Sequence, residues 1–368
     1  MHRVYIHFIW VFLSLSTAYA QTVRVVSSLP DELKENSGLA FYGSGILYFI
    51  NDGGNAPLLY RYDTLSSSLT SKSIVNANNA DWEDLAQDDD GVLYIGDIGN
   101  NGNSRKNLRI FISPNPENVF GTELTVDTIS FRYQNQTEFP PNSSNLNYDC
   151  EAMIHYKDSL YLFTKNRTDP YDGWSYMYVL PDRKGDYVAR LSDSIQFPAV
   201  AKENGWITGA DVRGDSLVLL SSSKVHIAGS FMSKPLKDLK WTEYNVGFSQ
   251  KEAVVYGATN EQVFLSDELF VIGNNLYFLD ISTDLSRVEI LEVNQVKIKS
   301  SCNKLEIRLP KSQSECMIRI TDMLGKFSQT SFSEGTMVLE GDLWPNQVYI
   351  VQVFCDGKYT EYRWAKTQ

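Results

Sequence analysis

The chain has 368 residues, a formal net charge of −12, and 12% aromatic residues. That length allows a large core and more than one domain. The acid excess, with no clustered Lys or Arg, excludes a phosphate-binding surface for nucleic acid. The acidity is not gathered into a tail but sits in short motifs, which makes its distribution the main functional clue.

In chain order, the first element is a leader. Arg3 precedes an apolar run from Val4 to Ser16, and Thr17-Ala-Tyr-Ala20 places small residues at the −3 and −1 positions. This pattern predicts a secretory signal peptide over residues 1–20, cleaved before Gln21. No later stretch is long and apolar enough to cross a bilayer. The expected location is therefore extracellular or at an outer-membrane surface, with no transmembrane span in the mature chain.

From residue 21 to 292 one hairpin pattern recurs. A polar or acidic residue, a small residue and an apolar strand make the first half: Ser37-Gly-Leu39, Trp82-Glu-Asp-Leu85, Cys150-Glu-Ala-Met153, Thr208-Gly-Ala-Asp211 and Lys251-Glu-Ala-Val254. An aromatic-aliphatic strand follows, as in Ile46–Ile50, Val92–Ile95, Leu160–Phe163, Leu217–Leu220 and Val263–Leu265. A polar knot closes each unit, such as Asn51-Asp-Gly-Gly-Asn55 or Gly96-Asp-Ile-Gly-Asn-Asn101. The shared positions near 38, 84, 152, 209 and 253 are spaced by 46, 68, 57 and 44 residues. That is the size of a four-stranded blade plus loops, and such units close into a ring. The fold class predicted is all-β, a five- or six-bladed β-propeller, with a sixth blade to be sought in 105–135 or 270–292.

From 293 to 368 the pattern changes. Alternation in Lys304–Leu309, Met317–Asp322 and Val348–Phe354 predicts a small β-sandwich. Cys302, Cys316 and Cys355 fall here and Cys150 stands apart; in an exported protein Cys302 could pair with Cys316 or Cys355, or the cysteines could remain buried thiols.

Two resemblances add to this reading. Ile320-Thr-Asp-Met-Leu-Gly-Lys326, Leu343-Trp-Pro-Asn-Gln-Val-Tyr-Ile350 and the basic Arg363–Lys366 end resemble the type A sorting domain of the Bacteroidetes type IX secretion system. The usual Pro-Asn-Pro opening is replaced by Val293-Asn-Gln-Val296, and Gln347 stands for a glycine. The resemblance implies the secretion machinery as a partner of this domain. The body resembles an uncharacterised family of secreted bacterial β-propellers through Asn51–Asn55, Asp81-Trp-Glu-Asp-Leu85, Gly96–Asn101, Glu151-Ala-Met153 and Thr208–Asp211. More distantly it is similar to gluconolactonase/paraoxonase-like and esterase-like phytase propellers, in which acidic and Asn residues at the ring centre hold calcium.

Inner strands of a propeller line one channel, so equivalent repeat positions converge on one mouth. This places Asp52, Glu83, Asp84, Asp97, Asn100, Glu151, Asp211 and Glu252 together as candidate ligands, with Glu268 a further candidate. Crowded carboxylates need a cation or raised pKa values, and oxygen donors outside the cell favour Ca²⁺. The competing reading has each acid satisfying backbone N–H groups at strand ends. Trp82 is a candidate ligand platform, or else a buried wedge between blades. No Gly-x-Ser-x-Gly elbow or His-Glu-x-x-His motif is present, which argues against a serine hydrolase or zinc protease. Two functions are expected to compete. One is a binding propeller for a small molecule, glycan or protein. The other is a calcium-dependent hydrolase of esters, lactones or phosphate esters, with Glu151 and Glu252 as candidate catalytic bases.

Overall fold

The computed structural model describes residues 23–197, 202–270 and 272–281, and in the C-terminal part the eight strands given below. The signal-peptide region lies outside the described residues. Two compact units divide between Ile281 and Ser282.

The first unit is a five-bladed propeller. Blade 1 runs Asn36–Phe41, Ile46–Asn51, Leu58–Asp63 and Ser68–Ile74, from channel to rim. Blade 2 uses Trp82–Gln87, Leu93–Asp97, Leu108–Ser113 and Asp127–Tyr133. Blade 3 uses Asp149–Tyr156, Ser159–Lys165, Trp174–Pro181 and Gly185–Gln196. Blade 4 uses Gly209–Arg213, Ser216–Leu220, Lys224–Ala228 and Thr242–Asn245. Blade 5 takes Lys251–Tyr256, Gln262–Asp267 and Asn275–Asp280 from late in the chain, and its fourth strand, Arg24–Ser28, from the beginning. The ring thus closes by antiparallel pairing of the first strand on the last. The stretches 105–135 and 270–281 supply outer strands of blades 2 and 5, so no sixth blade arises from them.

Each inner strand packs on the next around the ring. The core is correspondingly five wedges, one between each pair of blades. Trp82 and Phe111 sit between blades 1 and 2, Tyr133 and Tyr178 between 2 and 3, Phe163 and Leu217 between 3 and 4. Val254 and Leu220 fill the gap between 4 and 5, and Leu39 and Leu276 that between 5 and 1. A blade buries both faces only in this closed arrangement, which is why the second strands read as continuous apolar runs. At the rim, the outer strands of blades 2 and 3 pair in parallel, Ile129 opposite Gly185 through Tyr133 opposite Ala189, joining them into one eight-stranded sheet.

The second unit has two four-stranded antiparallel sheets. One holds Glu289–Val293, Val296–Ser301, Lys304–Leu309 and Gly335–Glu340; the other holds Phe327–Phe332, Cys316–Asp322, Gln347–Cys355 and Lys358–Lys366. Buried Leu305 and Ile307, Ile318 and Ile320, and Tyr349, Val351 and Val353 alternate along their strands, as one-sided burial requires. Residues 323–326 and 341–346 of the sorting-domain motifs, and Cys302, lie outside the described residues, as do the side chains of Cys316 and Cys355. Cys150 is a buried free thiol. Among the described residues no helix is long and apolar enough to cross a membrane.

Candidate functional site

The channel mouth is built by a repeated β-bulge. The pairing between first and second strands slips by one residue at Asn36/Gly38, Trp82/Asp84, Cys150/Ala152 and Lys251/Ala253. In blade 4, Thr208 donates its N–H to Leu220 O, and Gly209 faces the same Leu220. The extra residues are therefore Ser37, Glu83, Glu151, Thr208 and Glu252. A bulge re-aims the side chain it inserts. The two hydroxyls turn sideways and tie blades together: Ser37 Oγ donates to Glu83 O at 2.6 Å, and Thr208 Oγ1 to Lys251 O at 2.6 Å.

Glu83 belongs to a cluster with Asp52, from the loop after the second strand of blade 1, and Asp81, just before the inner strand of blade 2. One oxygen from each of the three lies within 4.8 Å of the others. Glycines make room for them. A Cβ at Gly99 would overlap the Glu83 and Asp81 carboxylates, and one at Gly53 would overlap Asp81. Among the described residues no basic side chain forms a salt bridge with Asp52 or Glu83, and Asp81 has only Arg105 Nη1 at 3.9 Å. Burial, with Asp52 beside it, pushes Asp81 up to about 6. Burial and the neighbouring Glu151 and Asp52 carry Glu83 well above the ordinary carboxylate range, and burial raises Asp52.

Beside this trio is a charge-paired tier. Lys165 pairs with Glu151; Arg167 reaches Glu151 Oε1 at 3.1 Å and Asp149 Oδ2 at 2.7 Å. Burial raises Glu252, opposed by Lys165. Burial, then Glu252 and Asp52, pushes Glu268 up to about 8. Trp206, half-buried, is surrounded by three cations: Arg167 at 4.7 Å, Lys165 at 5.2 Å and Lys202 at 5.5 Å from the ring centre.

Of the expected ligands, the mouth gathers Asp52, Glu83, Glu151 and Glu252, with Glu268 at the edge. The other four are engaged elsewhere. Asp84 lies deeper, fully buried, and accepts N–H groups from Leu85 and Met153 at 2.8 Å each. Asp97 is gripped by Arg105 at 2.8 Å, Arg109 at 2.9 Å and the Asp81 N–H at 3.0 Å. Asn100 accepts from the Arg105 N–H and donates to Tyr148 O, locking its own loop. Asp211 sits toward the opposite end of the channel, accepting the Tyr256 N–H at 2.8 Å. Trp82 is fully buried between blades 1 and 2, its indole N–H donating to Asn78 O. It is a wedge and not a platform; the aromatic ring at the mouth is Trp206.

Sequence reasoning left out Asp81, Arg105 and Trp206. Asp81 was legible as the first residue of Asp81-Trp-Glu-Asp84, two positions before Glu83. Trp206 lies two residues before the Thr208 bulge, in a segment without the repeat pattern. One further arrangement imitates a catalytic relay: Ser221 Oγ lies 3.5 Å from His226 Nε2, and His226 Nδ1 lies 3.3 Å from Glu243. Ser221 is fully buried, and burial holds His226 down at about 4. A sealed hydroxyl beside so weak a base is core structure and not a nucleophile.

No family model matches the chain, and no curated protein does. Solved structures give distant likenesses. PorZ, a surface component of the type IX secretion system of Porphyromonas gingivalis, has a TM-score of 0.32 at 13% identity, covering 90% of this chain and 45% of PorZ. The chain thus spans under half of PorZ's length. The PQQ-bound aldose sugar dehydrogenase of Streptomyces coelicolor has a TM-score of 0.44 at 11% identity, covering 70% of this chain and 98% of that one. The extracellular domain of a hybrid two-component system of B. thetaiotaomicron has a TM-score of 0.38 at 10% identity, covering 95% and 59%.

Proposed function

We propose that this chain is an exported ligand-binding propeller whose mouth carries a Ca²⁺ ion on Asp52, Asp81 and Glu83. One observation carries the reading: three carboxylate oxygens converge within 4.8 Å, and one of the three acids, Glu83, is buried and forms no salt bridge among the described residues. Oxygen-only donors with excess negative charge suit a hard cation, which would replace the protons that raised pKa values otherwise require. Bound there, the ion would offer open positions to ligand oxygens, with Trp206 and Arg167 beside them.

Binding is favoured over turnover because Glu151, one of the two candidate bases, is already paired with Lys165 and Arg167. The hydrolase alternative rests on Glu252, which has no salt bridge among the described residues. Export is proposed from the leader at 1–20, and engagement of the type IX machinery from the C-terminal motifs.

The test is thermal unfolding of the full chain in EDTA and then in rising Ca²⁺. A ligand specific to the native state raises the melting temperature with its concentration. The expected result is a Ca²⁺-dependent rise that Glu83→Gln removes. No shift in the native chain would discard the ion. Turnover of ester, lactone or phosphate-ester substrates, lost in Glu252→Gln, would replace the binding reading with the hydrolase.

A further inference from the structure

Beside the mouth, two loops of blade 5 hold apolar side chains out in solvent. One loop, 246–250, leads into the inner strand Lys251–Tyr256; the other, 268–274, leaves the second strand, Gln262–Asp267. Lys251 pairs with Asp267, so both loops open at the same end of the blade. They expose Phe248 (66%), Leu269, Phe270 (80%) and Ile272. Among the described residues no other stretch of the propeller exposes three large apolar side chains within four positions. Single exposed apolar residues need no explanation, but a cluster of them marks a contact surface.

These are not frayed segments. Glu268 donates its N–H to Gln250 O at 2.9 Å, which joins the two loops, and Leu269 donates to Lys34 O at 2.7 Å. Val246 donates to Ser223 O at 2.9 Å, and Asn274 Nδ2 to Leu29 O at 2.9 Å. The apolar residues thus stand on a braced platform formed by both loops and the segment 31–35.

The platform's charge selects the occupant. It carries Asp31, Glu32, Glu35, Glu252 and Glu268 against one exposed base, Lys34. Lys251 is buried and engaged with Ser249 and Asp267. Lys165 and Arg167 attract Glu252, but their salt bridges go to Glu151 and Asp149. Gln250, a neutral donor, bonds Glu268 and Glu252 and leaves both charges uncancelled. Burial, then Glu252 and Asp52, already raises Glu268, so a cation here would relieve a standing repulsion. An anionic lipid surface would be repelled, whereas a basic protein segment meets opposite charge and apolar contact together.

We propose that this face of blade 5 docks a segment of a partner protein in which Lys or Arg alternates with bulky apolar residues, the bases on Glu268 and Glu252 and the apolar side chains on Phe248, Leu269 and Phe270. The surface is independent of the Ca²⁺ reading.

The test is calorimetric titration of the full chain at pH 8 with acetyl-Lys-Phe-Arg-Leu-Lys-Phe-amide. Two control peptides carry Glu at the three basic positions or Ser at the three apolar ones. Saturable one-to-one binding is expected, at least tenfold tighter than either control. Replacing Phe248 and Phe270 together by Ser should weaken it at least tenfold, and Glu268→Gln at least threefold. Phe120→Ser, at a fully exposed ring away from blade 5, should bind as the native chain does. Exchanging Ca²⁺ for EDTA should leave the affinity within twofold. The proposal fails if no saturable heat appears, if either control binds equally, or if Phe120→Ser weakens binding as much as the double variant. Should the double variant not fold, undiminished binding in Glu268→Gln overturns it. Loss of binding in EDTA would place the peptide on the ion and also overturn it. So would two further results: capture by neutral or anionic vesicles in place of the peptide, or self-association of the chain that the double variant abolishes.

Discussion

Two tryptophans separate structural from surface roles. Trp82 is fully buried against Phe111, so Trp82→Ala should cost about 3–5 kcal/mol of stability. Urea unfolding would show it, with Ca²⁺ affinity unchanged in whatever fraction stays folded. Trp206 is half-buried under three cations; Trp206→Ala should cost far less stability and change ligand capture at the mouth, read by binding and not by melting. Asp211 gives a pH dependence of its own. Its pKa is about 7 folded against an ordinary 3.8, so the folded state holds a proton that the unfolded state has released. Between about pH 4 and 7, stability is therefore expected to fall as pH rises through this group. Asp211→Asn should flatten that part of the profile, measured as the urea midpoint at pH 5 and pH 8.

At the scale of strands, the bulge is the organising device. It repeats in every blade but carries three acids and two hydroxyls, and the difference decides whether a blade contributes to the mouth or to its neighbour. Ser37 donates to the carbonyl of Glu83 itself, so the hydroxyl of blade 1 positions the strand that presents the Glu83 carboxylate. Ser37→Ala should cost about 1 kcal/mol through loss of that hydrogen bond. It should also weaken Ca²⁺ binding, measured as a smaller Ca²⁺-induced rise in melting temperature. Motif glycines belong to this scale too. Gly99→Ala places a methyl group in the space of the Glu83 and Asp81 carboxylates, so it should abolish the Ca²⁺ effect while leaving the distant blades intact.

For the whole molecule, ring closure matters most. Arg24–Ser28 completes blade 5, whose other three strands come from residues 251–280, so the earliest described strand holds the last blade in place. Deleting residues 21–29 should lower the melting temperature more than any single substitution above and expose the edge of Asn275–Asp280 to pairing with other chains. Light scattering and unfolding curves would show both effects.

The blade repeat and the five hairpins were legible because strand alternation and turn residues are local signals, carried within ten or so positions; the units divide between Ile281 and Ser282, so Glu289–Val293, read with the propeller, is a strand of the second unit. Local pattern also placed Asp52, Glu83, Glu151 and Glu252 at one mouth, since equivalent residues of a ring must converge. It could not sort the acids further. Asp84 and Asp97 look as acidic as Glu83, yet one is absorbed by the Leu85 N–H and by the Met153 N–H of another blade, and the other by Arg105 and Arg109. Met153, Arg105 and Arg109 stand 69, 8 and 12 residues away in the chain. Whether a carboxylate is neutralised depends on what lies within a few ångströms, a property of the folded neighbourhood. Chain order alone therefore determined the architecture and the acidic character of the channel. The closed ring decided which acids face one another without a partner, and it put Asp211 at the opposite end of the channel from the cluster it was expected to join.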